Sequence, residues 1–195
     1  RHTASEMIKH PPPSPEPLHR IIARFGDVAV LVVGDFILDR FVSGVIERIS
    51  PEAPIPVLHG RGEMLNMGGA GNVVSNIVSL GATAIPVSVI GADQAGNNLM
   101  RMLGEIGVDT DGLLQRQDRM TSSKSRFSAL NQQVLRFDEE EIKPLTSAER
   151  ARLIDHFQAA HRRADIVILS DYGKGILLDG VAGELIAICR DAGKP

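Results

Sequence analysis

Residues 28–35, Val-Ala-Val-Leu-Val-Val-Gly-Asp, decide the fold class. A continuous apolar run closed by Gly34-Asp35 is the pattern of a strand buried on both faces, as strands of parallel sheets are. Two more runs end in the same way: Ala84–Ile90 stops at Gly91-Ala92-Asp93, and Asp165–Ser170 stops at Asp171. The intervening segments carry a helical period. Residues 72–80 place Val73, Ile77 and Leu80 on one face, and residues 94–106 repeat apolar groups at Ala95, Leu99, Met102 and Ile106. Thr146-Ser147-Ala148-Glu149 has the form of a capping box, opening a helix that buries Leu153, Ile154, Phe157 and Ala160. Asp179 is expected to cap the last helix, over 176–192, with Val181, Leu185 and Ile188 inward and Gly193 closing it. Strands alternating with helices define an α/β fold with a mainly parallel sheet flanked by helices.

Two stretches break the rhythm. Phe41–Gly60 and Thr121–Asp138 have short β-type alternations and no helical period. Pro51, Pro54 and Pro56 exclude a helix in the first and place any strand at an edge. The second, SRFSALNQQVLRFD, reads as a hairpin turning near Asn131. Together they predict a small accessory sheet of about four strands outside the main one. Five prolines between Pro11 and Pro17 mark residues 1–17 as a disordered tail, with a Pro-rich docking peptide as the alternative, so the folded part, 18–195, starts near Leu18. Only three core strands can be read, fewer than such sheets usually have, so the chain is expected to be the N-terminal part of a longer protein.

Composition narrows the function. With 24 acidic against 21 basic residues, the net charge of −3 offers nucleic acid or an anionic membrane no attraction. Six phenylalanines, one tyrosine and no tryptophan leave little for stacking bases. The single cysteine, Cys189, can form neither an internal disulfide nor a cysteine metal site, which fits a reducing cytoplasm. No apolar run approaches the ~20 residues needed to span a bilayer. A cytoplasmic protein acting on a small molecule is the expectation.

Ligands of open parallel sheets sit beyond the carboxyl ends of the strands. There stand Asp35, Asp93 and Asp171, with Asp39 close behind. Carboxylates gathered on one edge need partners: arginines, a metal, helix N-termini or the hydroxyls of a polyol. Alternatively each caps the helix that follows. The second feature is Met67-Gly68-Gly69-Ala70-Gly71-Asn72, directly before a helix. It fails as a dinucleotide fingerprint, because Val74 stands where the third glycine belongs, and it fails as a P-loop, because Asn72-Val73 replaces Lys-Ser/Thr. What remains is either a tight turn capped by Asn72 or a cradle for a neutral hydroxyl-bearing ligand. The third is Ser170-Asp171-Tyr172-Gly173-Lys174-Gly175, a polar turn whose Lys174 either meets a phosphate or is merely solvated. No histidine pair has metal-ligand spacing.

The stretches Val33–Arg40, Arg48–Val57 (RISPEAPIPV) and Gly68–Val73 resemble the ribokinase-like carbohydrate kinases. Asn131–Asp138 (NQQVLRFD) and Leu169–Gly175 (LSDYGKG) narrow the resemblance to the D-glycero-β-D-manno-heptose-7-phosphate kinases of ADP-heptose and lipopolysaccharide inner-core synthesis. The resemblance implies a ribokinase-like α/β sandwich with a β-sheet lid, lid strands at about 41–60 and 121–138, and a homodimer paired through the lid. It implies that Asp35, Gly68, Gly69 and Asn72 hold the sugar, with Asp39 close by and Asp171 facing it. Lys174, Arg48, Arg136 and Lys124 are assigned to the substrate phosphate from charge and placement. The implied reaction phosphorylates the anomeric hydroxyl of the heptose 7-phosphate, with Mg2+ and ATP bound mainly by residues beyond this segment. The catalytic base, on a Gly-Ala-Gly-Asp turn, is expected beyond Pro195, so no catalytic residue is assigned within the chain and the segment alone is expected to be inactive. Another sugar or nucleoside kinase of the superfamily, or a sugar-phosphate-binding fragment without turnover, are the alternatives.

Overall fold

The computed structural model describes residues 15–130 and 132–195. Helix α1 (Pro15–Ala23) and a 3-10 turn lead into strand β1 (Ala29–Gly34). A long hairpin follows, β2 (Phe36–Ile49) and β3 (Pro56–Gly69), then α2 (Ala70–Ser79), β4 (Thr83–Gly91), α3 (Gln94–Glu105) and β5 (Leu113–Arg116). A second hairpin, β6 (Ser122–Ala129) and β7 (Gln132–Glu139), precedes α4 (Ser147–His161), β8 (Ile166–Ser170) and α5 (Val181–Asp191).

The core sheet runs β5-β4-β1-β8, with every neighbouring pair parallel. Residues 28–33 behave as their composition demands: Leu31, Val32 and Val33 are fully buried. Because side chains alternate along a strand, Val30 and Val32 join Val74, Ile77, Leu99 and Leu103 of α2 and α3 on one face. Leu31 and Val33 join Leu153, Phe157, Val181 and Leu185 of α4 and α5 on the other. Each such side chain removed from water is worth about 1.5–3 kcal/mol, so the two layers carry the stability of the domain.

The accessory sheet forms with the order β3-β2-β6-β7. β3 is at its edge, with Pro51 and Pro54 in the connecting bend and Pro56 at the strand start, as proline requires. The sheet reaches further inward than 41–60: only Asp35 separates β1 from β2, and β3 runs through Gly69. Residues 68–69 therefore close a lid strand rather than an isolated loop.

Several local expectations are corrected. Helix α2 already starts at Ala70, so Asn72 lies within its first turn and caps nothing. Val74 is buried in that helix, whereas Leu80 is 61% exposed. Gly180, at φ +83, precedes α5 without a side-chain cap, while the Asp179 carbonyl accepts from the Arg150 guanidinium. β5 is a fourth core strand that four residues were too short to announce. Pro15 and Pro17 open α1, where a missing N–H costs nothing because first-turn N–H groups have no intrahelical acceptor. The rest of the 1–17 tail, residues 1–14, and the turn residue Asn131 lie outside the described residues. The capping box stands: Glu149 N donates to Thr146 Oγ1 over 3.3 Å, and Thr146 N donates to Glu149 Oε2 over 2.8 Å. Among the described residues, no helix is long and apolar enough to cross a membrane.

His161 ends α4 buried, its ring tilted against Phe157 at 5.5 Å between centroids. Burial, then the nearby Lys194 ammonium, holds it below the ordinary histidine value. A histidine with a depressed folded pKa binds protons more readily when unfolded, so its contribution is complete above about pH 6.5 and is lost as pH falls through the lower folded value. The urea midpoint is expected to drop between pH 7 and pH 5, and His161→Leu is expected to flatten that slope.

Candidate functional site

The site is assembled where β1 and β8 end. Gly34, at φ +154, sits so close to the Ser170 carbonyl that any Cβ would collide with it, and Asp35 N donates to Ser170 O over 3.1 Å. Asp35 is 2% exposed. Its Oδ2 accepts from Tyr172 N (2.9 Å) and Lys174 N (3.0 Å), and its Oδ1 accepts from Ile176 N (3.2 Å). Its carbonyl accepts from Ala70 N at the start of α2 (2.9 Å). Asp35 is therefore held by three amides of the 172–176 loop, two on Oδ2 and one on Oδ1, and acts as a structural hub that does not line the cavity beside the lid.

Beside this hub, a cavity of about 400 Å³ opens between the lid and the start of α2. Asp39, Gly68, Gly69 and Asn72 line it, as the sequence reading grouped them, together with Lys124. Ile37, Phe41, Asn66, Met67, Arg126 and Tyr172 complete the wall. Register explains the grouping: Asp39 lies opposite Asn66 on one side and Lys124 on the other, Phe41 opposite Arg126, and Arg126 opposite Arg136. Directly paired positions share a sheet face, so one face of the lid carries all of these groups. A Cβ at Gly68 would push against the Asp39 carboxylate and displace it.

The charges on this face are paired. Arg126 Nη1 lies 2.5 Å from Asp39 Oδ1, and its guanidinium covers the Phe41 ring at 5.1 Å. Lys124 Nζ donates to Asp138 Oδ2 and Glu140 Oε2, both over 3.0 Å. Burial works against its charge, but those two hydrogen bonds outweigh it and hold the ammonium above its ordinary value. Lys174 Nζ lies 2.8 Å from Glu140 Oε2, which bridges the loop after β8 to the lid. The Glu140 carboxyl is held down chiefly by its hydrogen bond to Lys174, then by that to Lys124.

Other expected site residues fall elsewhere. Asp171 is exposed, and its Oδ1 accepts from Gly173 N over 2.8 Å, a local turn rather than part of the cavity wall. Asp35 and Asp171 thus do not converge on one guest. Lys174 meets the site through Glu140, not by lining it. Arg136 is exposed, 3.1 Å from Asp138 Oδ1. Arg48 is exposed at the outer end of β2, nine residues beyond Asp39 along an extended strand, too far to reach the cavity. Asp93 is a helix cap: its Oδ1 accepts from Gly96 N and its Oδ2 from Thr121 N, each over 2.8 Å, which also fixes the root of β6. Arg126, Phe41, Asn66 and Tyr172 escaped the sequence reading. The available signal was the Lys124/Arg126 alternation, legible only once β6 is paired with β2.

A carboxylate, two glycines, two amides and two cations line a cleft closed by a β-sheet over the end of a parallel sheet. This is the ribokinase-like fold. The chain belongs to the pfkB family of carbohydrate kinases, whose profile matches residues 29–194. It is 80% identical over 189 residues to the bifunctional protein HldE of Mesorhizobium japonicum, covering 97% of this chain and 38% of that protein. It is 48% identical over 165 residues to the HldE of Paramagnetospirillum magneticum, covering 85% and 34%. The chain thus spans somewhat over a third of the length of these relatives. A carbohydrate kinase from Agrobacterium tumefaciens superposes with a TM-score of 0.61 at 22% identity, over 86% of this chain and 52% of its own. Arabidopsis thaliana ribokinase, complexed with ribose and ATP, gives 0.58 at 16% identity, over 86% and 51%.

Proposed function

We propose that residues 18–195 form the sugar-binding part of a kinase that transfers the γ-phosphoryl group of ATP to the anomeric hydroxyl of D-glycero-β-D-manno-heptose 7-phosphate. The product is the 1,7-bisphosphate, a precursor of ADP-heptose for the lipopolysaccharide inner core, made in the cytoplasm. The observation that carries this reading is a single lid face presenting the Asp39 carboxylate beside Lys124 and Arg126, over the Gly68-Gly69 backbone. A carboxylate accepts from sugar hydroxyls, and paired cations suit a phosphate ester. The likeness to proteins named HldE supports the same substrate.

Phosphoryl transfer depends mostly on position and charge neutralisation. In this chain Asp39 and Asn72 orient the sugar, Gly68 and Gly69 admit it close to the backbone, Lys124 and Arg126 receive the phosphate, and the lid excludes water. Asp35 acts by holding the 172–176 loop, whose Tyr172 borders the cavity. Among the described residues, no three His, Cys, Asp or Glu side chains converge as a metal site requires, so Mg2+ accompanying ATP is assigned no ligand here. The base that takes the sugar proton is likewise assigned to no residue of the chain. Leu135 and Phe137, 57% and 52% exposed, alternate with Arg136 and so face away from the cavity. Their exposure supports a homodimer paired through that side of the lid.

The test is ADP release by the protein as it occurs, with whatever sequence flanks these residues. The heptose 7-phosphate is expected to exceed ribose, fructose 6-phosphate and adenosine in kcat/KM by about a hundredfold or more, a gap of at least about 2.7 kcal/mol in transition-state binding. Equal turnover of ribose or adenosine overturns the substrate assignment and leaves the family unchanged.

A further inference from the structure

We infer that Arg126 is a specificity-determining residue: its ion pair with Asp39 keeps the sugar-binding carboxylate engaged until an anionic group on the ligand draws the guanidinium away. The inference rests on the substrate reading above. It starts from a conflict inside the cavity, where the carboxylate suited to sugar hydroxyls is already taken by a cation 2.5 Å away. The Arg126 and Asp39 side chains are only 25% and 21% exposed. A pair so placed is screened less than a surface pair and resists competition from a neutral group.

The other cations of this face pair with carboxylates other than Asp39. Lys124 is held between Asp138 and Glu140, and Arg136 lies against Asp138. Arg126 is therefore the cation on this face that is ion-paired to Asp39. An unphosphorylated sugar must break that charged pair and offers only neutral hydroxyls in return. A sugar phosphate supplies a new anion to the guanidinium, which matches phosphate oxygens two at a time. Anion then replaces anion at Arg126, and Asp39 is released to the hydroxyls. The Phe41 ring under the guanidinium gives it a surface to slide across without losing all its contacts. Selectivity for the phosphorylated sugar thus has two sources, attraction of the phosphate and a block against its absence.

The test is calorimetry on the protein as it occurs, with D-glycero-D-manno-heptose 7-phosphate and with the same heptose lacking phosphate. Arg126→Met is expected to weaken the phosphorylated ligand about tenfold to a hundredfold, the loss of one charge-assisted contact, and to tighten the unphosphorylated one about threefold or more. Arg126→Gln, a polar replacement that guards against a packing fault in the first variant, must show the same opposite shifts. Arg126→Lys, which keeps the charge, retains the wild-type order of preference. If both variants weaken the two ligands alike, or leave the plain heptose unchanged, the inference fails while the substrate reading stands. Wild-type protein that binds neither ligand overturns both.

Discussion

Asp39→Ala is expected to lower the affinity for heptose 7-phosphate by about two to three orders of magnitude. The carboxylate is the one acidic side chain lining the cavity, and a hydrogen bond to a charged group contributes about 1.5–3 kcal/mol, so two sugar hydroxyls in the lower half of that range account for about 3–4 kcal/mol. The substitution also leaves Arg126 without its partner, yet Asp39 is only partly buried and lies in a lid strand whose ladder is made by backbone. Thermal stability should therefore change little while binding collapses. Calorimetry beside a melting curve checks both halves. Affinity retained within threefold would remove Asp39 from the sugar site.

Asp35→Ala is expected to have the opposite signature, a large loss of stability with a secondary loss of binding. It strips the acceptor from three amides, those of Tyr172, Lys174 and Ile176. Leaving a buried donor unsatisfied costs about 1–3 kcal/mol, so the variant should lose upwards of about 3 kcal/mol in urea unfolding. Hydrogen exchange at those three amides should accelerate selectively, because Asp35 is the acceptor for each of them. Unchanged protection at 172, 174 and 176 would show that the loop is held by something else. Asp35→Asn, which keeps one good acceptor oxygen, should fall between wild type and alanine.

The contrast between these aspartates shows what a chain can reveal before it is folded. The core strands β1, β4 and β8 were legible because each is a closed apolar run, and the two helical layers followed from the period of the segments between them. The capping box at Thr146–Glu149 is local chemistry and stood unchanged. The lid strands were recognised by pattern, but their inner halves, 36–40 and 61–69, hid behind residues that read equally well as loop. The site proved least legible where it depended on long-range pairing. Asp35 and Asp39 look interchangeable in sequence. One lies at the core-sheet end and is consumed by the backbone of a loop more than 130 residues away, and the other lies on a lid face. Arg126 meets Asp39 only through the parallel pairing of β2 with β6, a register that no neighbouring residue announces. Asp179 and Asn72 failed as caps for a simpler reason: glycines at 180 and 69 took the non-helical positions before α5 and α2.

The place of Tyr172 has a practical consequence. It borders the cavity, half exposed, on the loop anchored by Asp35, and it is the sole tyrosine in a chain without tryptophan. Within these 195 residues, near-ultraviolet absorption and emission above the phenylalanine background come from that one ring. The chain thus carries its own optical reporter of whether the cleft is filled, with no label to attach and no second chromophore to subtract.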